Sequence, residues 1–262
     1  MPSRHTDRPP AWLAAARARA DQPPATPREP LRVCAAVCGS VEPGLARQLV
    51  QAGLPLRRED AGWILAGDAL DDVARWLHAH GHGGRWRDEP LAVRDAAGTV
   101  LAQVERAAVR ALGIATRAVH LVGTTVSGEV WVQQRALDKA VDPGLLDTLV
   151  GGLVAGDETD LQSLEREAWE EAGLQLTALE RLTPLAGMTV RRPVSDGYMV
   201  EHIEAFQAVV PEGRVPANQD GEVMAFECLR VPELLAALAT GRFTLEAVLI
   251  HGRWIESGRH RA

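Results

Sequence analysis

The chain has 262 residues, 46% of them hydrophobic, with a formal net charge of −7. That length can bury a substantial core in one large domain or two small ones. An acidic balance without a basic block excludes a polyanion track for nucleic acid, and no apolar run approaches the length of a membrane helix. A small phosphorylated substrate stays open, because a bound cation can bridge two negative partners. Three cysteines, Cys34, Cys38 and Cys228, cannot all pair within the chain, so a reducing compartment, the cytoplasm, is expected.

In chain order, the first thirty residues hold seven prolines around an alanine-rich "AWLAAARARA", which reads as a short helix on a loosely tethered arm over 1–30. From Leu31, "LRVCAAVCGSVEP" reads as a buried strand ending in a turn, and "GLARQLVQAG" as an amphipathic helix closed by Gly53. "GWILAG" is a short strand, and "LDDVARWLHAHG" a helix with Leu70, Val73, Ala74 and Leu77 at helical spacing. "WRDEPLAVRDAAGTVLAQVER" predicts a hairpin turning at "DAAG", followed by a linking helix in "RAAVRALG". Residues 31–115 are thus expected to form a small α+β N-terminal domain.

A second domain is expected over 116–262. "AVHLVGTTVSGEVWVQQR" predicts a hairpin turning at Ser127-Gly128, then a short strand, then a helix over 160–172. Strands follow near 175–187 and 197–210 and in "VMAFECL", with two helices starting at Pro232 and Thr244. Strands flanking one acidic helix, with further helices at the end, imply an α/β/α sandwich on a mixed sheet.

The stretch "GGLVAGDETDLQSLEREAWEEAGL", residues 151–174, holds five Glu and two Asp between glycines. Thr159 and Gln162 have capping-box spacing, and Gly173 can end the helix. Glu167, Glu170 and Glu171 stand at i, i+3 and i+4, so their carboxylates share one face, while Leu161, Leu164, Ala168 and Ala172 fall nearer the other. Clustered carboxylates repel unless a cation neutralises them, and hard oxygen donors suit Mg²⁺ or Mn²⁺. Arg166 and Glu158 are placed to pair if the loop folds back.

Gly152, Glu158, Arg166, Glu167, Ala168, Glu170, Glu171, Gly173 and Leu174 together fit the pattern G-x5-E-x7-R-E-U-x-E-E-x-G-U, with U apolar. That pattern is the Nudix box, and the sequence resembles Nudix hydrolases. The resemblance implies the Nudix α/β/α sandwich and metal-assisted attack of water on a diphosphate linked to another moiety. It implies Glu167, Glu170 and Glu171 as metal ligands with the Gly152 carbonyl as a further one, and Arg166 and Glu158 as braces. It implies one of these acids, or Glu222, as the group that activates water. "WRDEPLAV", "ERAAVRALGI", "AVHLVG", "PGLLDTLVGGLVAGD" and "NQDGEV" further resemble Nudix proteins associated with thiamine pyrophosphokinase, over about residues 31–255. That resemblance implies cleavage of thiamine diphosphate, or a damaged analogue, to the monophosphate.

Around the box, Arg135 and Lys139 are candidates to grip phosphate oxygens. Trp86, Tyr198 and Arg191–Arg192 are candidates to line a pocket for the organic group. His78, His80 and His82 alternate in "HAHGHGG", but no acidic or Cys partner lies close, and a helix end with a glycine turn accounts for them. Cys34 and Cys38 read as core residues of one strand, and Ser195-Asp196 lacks a nucleophile elbow. The main alternatives are hydrolysis of a nucleoside diphosphate derivative, with stacking on Tyr198 or Trp86, and a ligand sensor without turnover. An isomerase would need a catalytic cysteine such as Cys228. The partner expected is a small diphosphate, with neither nucleic acid nor membrane, and a homodimer is a possible assembly.

Overall fold

The computed structural model describes residues 9–59, 62–139 and 141–259. Of the expected arm, residues 1–8 lie outside this description. The alanine-rich run forms α1 (Ala11–Ala20) as expected. Next comes a departure: the segment read as one strand from Leu31 is a hairpin of β1 (Glu29–Val33) and β2 (Ala36–Val41). Cys34 makes the reversal with a left-handed φ of 61° and is exposed, while Cys38 is buried, so the two are not neighbours in one strand.

α2 (Pro43–Gln51), β3 (Leu56–Glu59), β4 (Gly62–Leu65) and α3 (Leu70–Ala79) follow, giving a sheet of order β2-β1-β4-β3. Its core holds Leu31, Val33, Leu49, Leu70, Val73 and Leu77, the last four from the helical periodicity of α2 and α3. β5 (Pro90–Arg94) and β6 (Val100–Glu105) form the second hairpin. Its turn is the expected one: Asp95 Oδ1 accepts from the Ala97 and Thr99 amides at 2.9 and 2.8 Å, an Asx-type closure. "RAAVRALG" makes only one 3₁₀ turn at Arg106–Ala108 and then reverses through Gly113, too short a run to propagate an α-helix.

The remaining elements are β7 (Thr116–Thr124), β8 (Val130–Arg135), β9 (Leu146–Asp147), β10 (Val150–Leu153), α4 (Asp160–Ala172), β11 (Glu180–Val194), β12 (Gly197–Val209), β13 (Val223–Leu229), α5 (Val231–Ala239) and α6 (Leu245–Glu256). The sheet runs β11-β12-β7-β8-β13, with β10 on β7 and β9 on β8. β12 pairs with β7 in parallel and the other pairings are antiparallel, so the sheet is mixed. β7 forks: its first half pairs with β10 at residues 118–121, and its last two residues pair with β8.

Side-chain alternation along β7 builds the two faces. Val119 and Leu121 pack with Leu164, Ala168 and Ala172 of α4, and Ala118 and Val122 face α6. This is the α/β/α sandwich. α1 belongs to it: Leu13, Ala16 and Ala20 are buried in the α5–α6 layer, and Arg17 pairs with Glu256 at 2.7 Å. The helix expected on a tether is therefore docked. Burying one leucine and two alanines contributes roughly 2–4 kcal/mol of transfer free energy. No helix among the described residues is long and apolar enough to cross a membrane.

Candidate active site

α4 starts and stops where the local chemistry directs. Thr159 Oγ1 accepts from the Gln162 amide, and Gln162 Oε1 accepts from the Thr159 amide at 2.9 Å, closing the capping box. Gly173 ends the helix at φ +61°, where a side chain would be strained. Arg117 pairs with Asp160 in the first turn, fastening the helix to β7.

The rotation of α4 differs from the expectation in one respect. Leu161 is 52% exposed and takes no part in the core. The helix instead turns Glu167 and Glu171 inward beside Leu164 and Ala168; Glu171 is 1% exposed. Glu170 is half-buried at the edge.

Each carboxylate has protein donors. Arg166 lies among them: its Nε donates to Glu158 Oε1 at 3.0 Å, and its Nη1 donates to Glu167 Oε1 at 2.7 Å and to Glu170 Oε2 at 3.0 Å. Nη2 adds a bond to the Leu153 carbonyl at 3.3 Å, tying loop, strand and helix together. Glu158 also accepts from Ser163 Oγ at 2.6 Å. Glu171 Oε2 accepts from Gln133 Nε2 at 3.0 Å and from the Gly151 amide at 2.8 Å. The hydrogen bonds from Arg166 hold Glu158 below the usual carboxylate range. Burial opposes the charge of Arg166, but its bonds to Glu158 and the charge of Glu167 outweigh this and raise its pKa.

The inward pair behaves oppositely. Burial pushes Glu167 up to about 7, with Arg166 opposing and Glu170 and Glu222 adding repulsion. Burial and the neighbouring Glu167 push Glu171 up to about 8. Gly152 abuts this pair: a Cβ there would stand 2.1 Å from the Glu167 carboxyl carbon. Among the described residues no three His, Cys, Asp or Glu side chains converge as a ready metal cluster; the α4 carboxylates are turned to Arg166, Gln133 and Gly151. The donor set nevertheless fits a hard divalent cation. The two buried carboxylates, Glu167 and Glu171, repel each other, Arg166 is shared among Glu158, Glu167 and Glu170, and the candidate ligands on this face are all oxygens.

A cavity of about 160 Å³ opens beside this face, lined by Gly152, Glu167, Arg135, Lys139, Glu222 and residues of β7, β12 and α6. The structure thus brings the box together with Arg135, Lys139 and Glu222. Arg135 is held by Asp147 at 3.1 Å and by the Val141 carbonyl, and Lys139 pairs with Glu222. Burial raises the Glu222 carboxyl, but Lys139 overcomes this and holds it low.

Trp86 and Tyr198 are not brought to this cavity. Trp86 packs on the N-terminal core, donating to Asp88 Oδ1 at 2.6 Å, with the Arg75 guanidinium over its ring. Tyr198 donates to the Gln22 carbonyl at 2.8 Å, and strand alternation gives the inward place to Met199. Of the arginine pair, Arg192 lines the cavity and Arg191 pairs outside with Asp21. His80 and His82 stack on Trp76, and His78 lies against Trp86, so that histidine run closes a helix end. The fold also assembles residues with no local signature in sequence. His120 is buried with Nδ1 2.9 Å from Thr148 Oγ1. Glu201 and Glu246 line the far end. Arg192 approaches Glu246 only to 3.7 Å, and Glu246 Oε1 and Arg192 Nε have no hydrogen-bond partner.

The comparisons with known proteins come down on the same segment. The NUDIX domain family model matches residues 114–249, more than half of the chain. The chain belongs to the NUDIX domain family. It is 29% identical over 147 residues to Nudix hydrolase 20, chloroplastic, of Arabidopsis thaliana, covering 55% of this chain and 39% of that protein. It is 41% identical over 75 residues to the uncharacterized Nudix hydrolase YfcD of Escherichia coli strain K12, covering 29% of this chain and 42% of that protein. The chain thus spans about two fifths of the length of these curated relatives. Among solved structures, DR0079 from Deinococcus radiodurans superposes with a TM-score of 0.51 at 26% identity, covering 62% of this chain and 98% of that one. The box glycine, Arg166 and the α4 carboxylates all lie within the matched Nudix segment.

Proposed function

We propose that the chain is a Mg²⁺- or Mn²⁺-dependent hydrolase of a diphosphate linked to an organic group. The observation that carries this reading is the α4 face: Glu167 and Glu171 buried side by side, Glu170 at the edge, and Gly152 pressed against Glu167. Glu167, Glu170, Glu171 and the Gly152 carbonyl would hold the cation, which supplies charge compensation for phosphate oxygens and lowers the pKa of bound water. Arg166 and Glu158 hold the loop against the helix. Arg135, fixed by Asp147, presents its guanidinium to the cavity, and Lys139 shares its charge with Glu222. Of the acids that line the cavity, we take Glu167 or Glu222 as the group that accepts a proton from attacking water.

For the organic half, the finer reading is thiamine diphosphate or a damaged analogue, cleaved to the monophosphate and phosphate. Support comes from the far end of the cavity, where Glu201 and Glu246, whose Oε1 makes no hydrogen bond and meets Arg192 only at 3.7 Å, suit a cationic or amine-bearing ring. A nucleoside diphosphate derivative is the second reading, but the aromatic pair that would favour it, Trp86 and Tyr198, lies elsewhere. Phosphate release with Mg²⁺, measured on thiamine diphosphate, its oxidised forms and several nucleotide sugars, tests both levels. Turnover of thiamine compounds alone supports the finer reading, and turnover of nucleotide sugars alone replaces it. No metal-dependent release from any diphosphate sinks the hydrolase reading.

A further inference from the structure

The catalytic cavity continues into a second hollow of about 330 Å³ between the N-terminal sheet unit and the Nudix sandwich. The two share Arg106, Arg110, Val141, Leu153, Met199 and Glu201 in their walls. Arg85 and Arg87 also line the second hollow, so four arginines meet there in a chain whose net charge is −7. The acids of that wall are Asp196 and Glu201. Asp196 pairs with Arg110 at 3.3 Å, and Arg106 pairs with Glu89 at 2.7 Å. Arg85 and Arg87 have neither a hydrogen bond nor an ion pair from their side chains to any described residue.

These two side chains stand on a segment that is held in place. The buried Glu105 carboxylate accepts from the Arg87 and Glu89 amides, each at 2.9 Å. The Gly84 amide donates to the Ala107 carbonyl at 2.9 Å, and the Arg106 amide to the Glu89 carbonyl at 3.0 Å. Trp86, between the two arginines, is anchored in the N-terminal core. The charges of Arg106 and Arg87 reach Glu222 and help hold it low, so the arginines act on the catalytic cavity itself.

We infer that the N-terminal unit contributes an anion-binding cleft, built on Arg85, Arg87, Arg106 and Arg110, that takes a phosphate group beyond the one at the α4 face. Guanidinium forks bind phosphate oxygens in pairs, and a cleft focuses their field. The occupant is either the terminal phosphate of the bound substrate or the orthophosphate released from it. Only that assignment of its source rests on the diphosphate-hydrolase reading; the cleft as an anion site does not.

The test separates the two. In EDTA no cation draws phosphate to the α4 face. Calorimetric titration of the full chain and of Arg135→Ala with inorganic pyrophosphate then separates the cleft from the Arg135 side of the α4 cavity. Binding that survives Arg135→Ala belongs to the cleft, and binding lost with Arg135 overturns it. We expect binding to the parent and to Glu170→Gln, and affinity lowered about tenfold or more in the double variant Arg85→Ala, Arg87→Ala. Both arginines are exposed, so the variant should fold, which its Tm checks. No binding by the parent, equal binding by the double variant, or loss of binding in Glu170→Gln each overturns the cleft. With Mg²⁺ present, a raised KM at steady kcat in the double variant assigns the site to the substrate's terminal phosphate. Relief of orthophosphate inhibition at unchanged KM assigns it to the released product, whereas neither change overturns its role in turnover. If no diphosphate is hydrolysed by any form, the hydrolase reading fails while the EDTA titration still decides the cleft.

Discussion

A side chain at residue 152 and the Glu167 carboxylate exclude each other: a Cβ on Gly152 would stand 2.1 Å from the Glu167 carboxyl carbon. β10 can approach α4 this closely only because residue 152 is glycine, and Gly151 on the same strand uses its amide to hold Glu171. Gly152→Ala must therefore push Glu167 out of its place or move the strand. We expect a loss of about 1–3 kcal/mol in stability, as for other overpacked sites. Metal-dependent turnover should fall about tenfold or more, because ligand geometry tolerates little displacement. A variant with the parent's Tm and kcat would show that Glu167 need not sit where the structure puts it.

Removing the charge of one carboxylate separates metal binding from folding. Glu170 is half-buried and, among the described residues, its carboxylate hydrogen-bonds only to Arg166, so Glu170→Gln should leave the Tm in EDTA nearly unchanged. With Mg²⁺, kcat should drop roughly 10²-fold or more, and EDTA should abolish turnover in the parent. Full activity of the parent in EDTA, or of the variant with Mg²⁺, would remove the cation from the reaction.

Arg166 joins Glu158, Glu167, Glu170 and the Leu153 carbonyl, so Arg166→Ala leaves several acids facing each other. The guanidinium is about one third exposed, which screens part of the effect. A destabilisation of about 1–3 kcal/mol in EDTA is expected, together with slower turnover. Mg²⁺ should restore more of the Tm in the variant than it adds to the parent, since it meets uncompensated charge. Thermal melts with and without Mg²⁺ decide; identical melts for variant and parent in EDTA would make Arg166 an ordinary surface charge.

What the sequence disclosed of this site was what short-range chemistry fixes. The bounds of α4 followed from the Thr159–Gln162 capping box and from Gly173, because both devices act within one turn. The pairing of Arg166 with Glu158 followed from their spacing around the loop. Leu161 went astray because periodicity says which residues share a face, not how much of that face its neighbours cover. Trp86 and Tyr198 went astray for a related reason: an aromatic ring serves a core or a pocket equally well, and here Asp88 and the Gln22 carbonyl claim their polar ends. His120, Asp147, Glu201 and Glu246 come from four separate elements, β7, β9, β12 and α6, and no spacing along the chain could join them.

Away from the α4 face, a buried histidine couples stability to pH. His251 on α6 is fully buried against Phe243, and neither ring nitrogen has a hydrogen-bond partner. Burial pushes it down to about 4 from 6.5; the charge of Asp147 opposes this, and His120 adds to it. Between those values the unfolded chain binds a proton that the folded chain refuses, so stability falls as pH drops from about 6.5 towards 4. At pH 5 this cost amounts to about 2 kcal/mol, and above pH 7.5 it vanishes. Glu246 works the other way: burial raises it to about 7, so its contribution weakens as pH rises from the ordinary carboxylate range through 7. The difference between parent and His251→Leu cancels that background. Urea denaturation of both forms at pH 7.5 and pH 5 should show the variant gaining about 2 kcal/mol relative to the parent at the lower pH, since no hydrogen bond is lost with the ring. If the difference between the two proteins is the same at both values, His251 titrates alike in the folded and unfolded chain, and its burial carries no pH dependence.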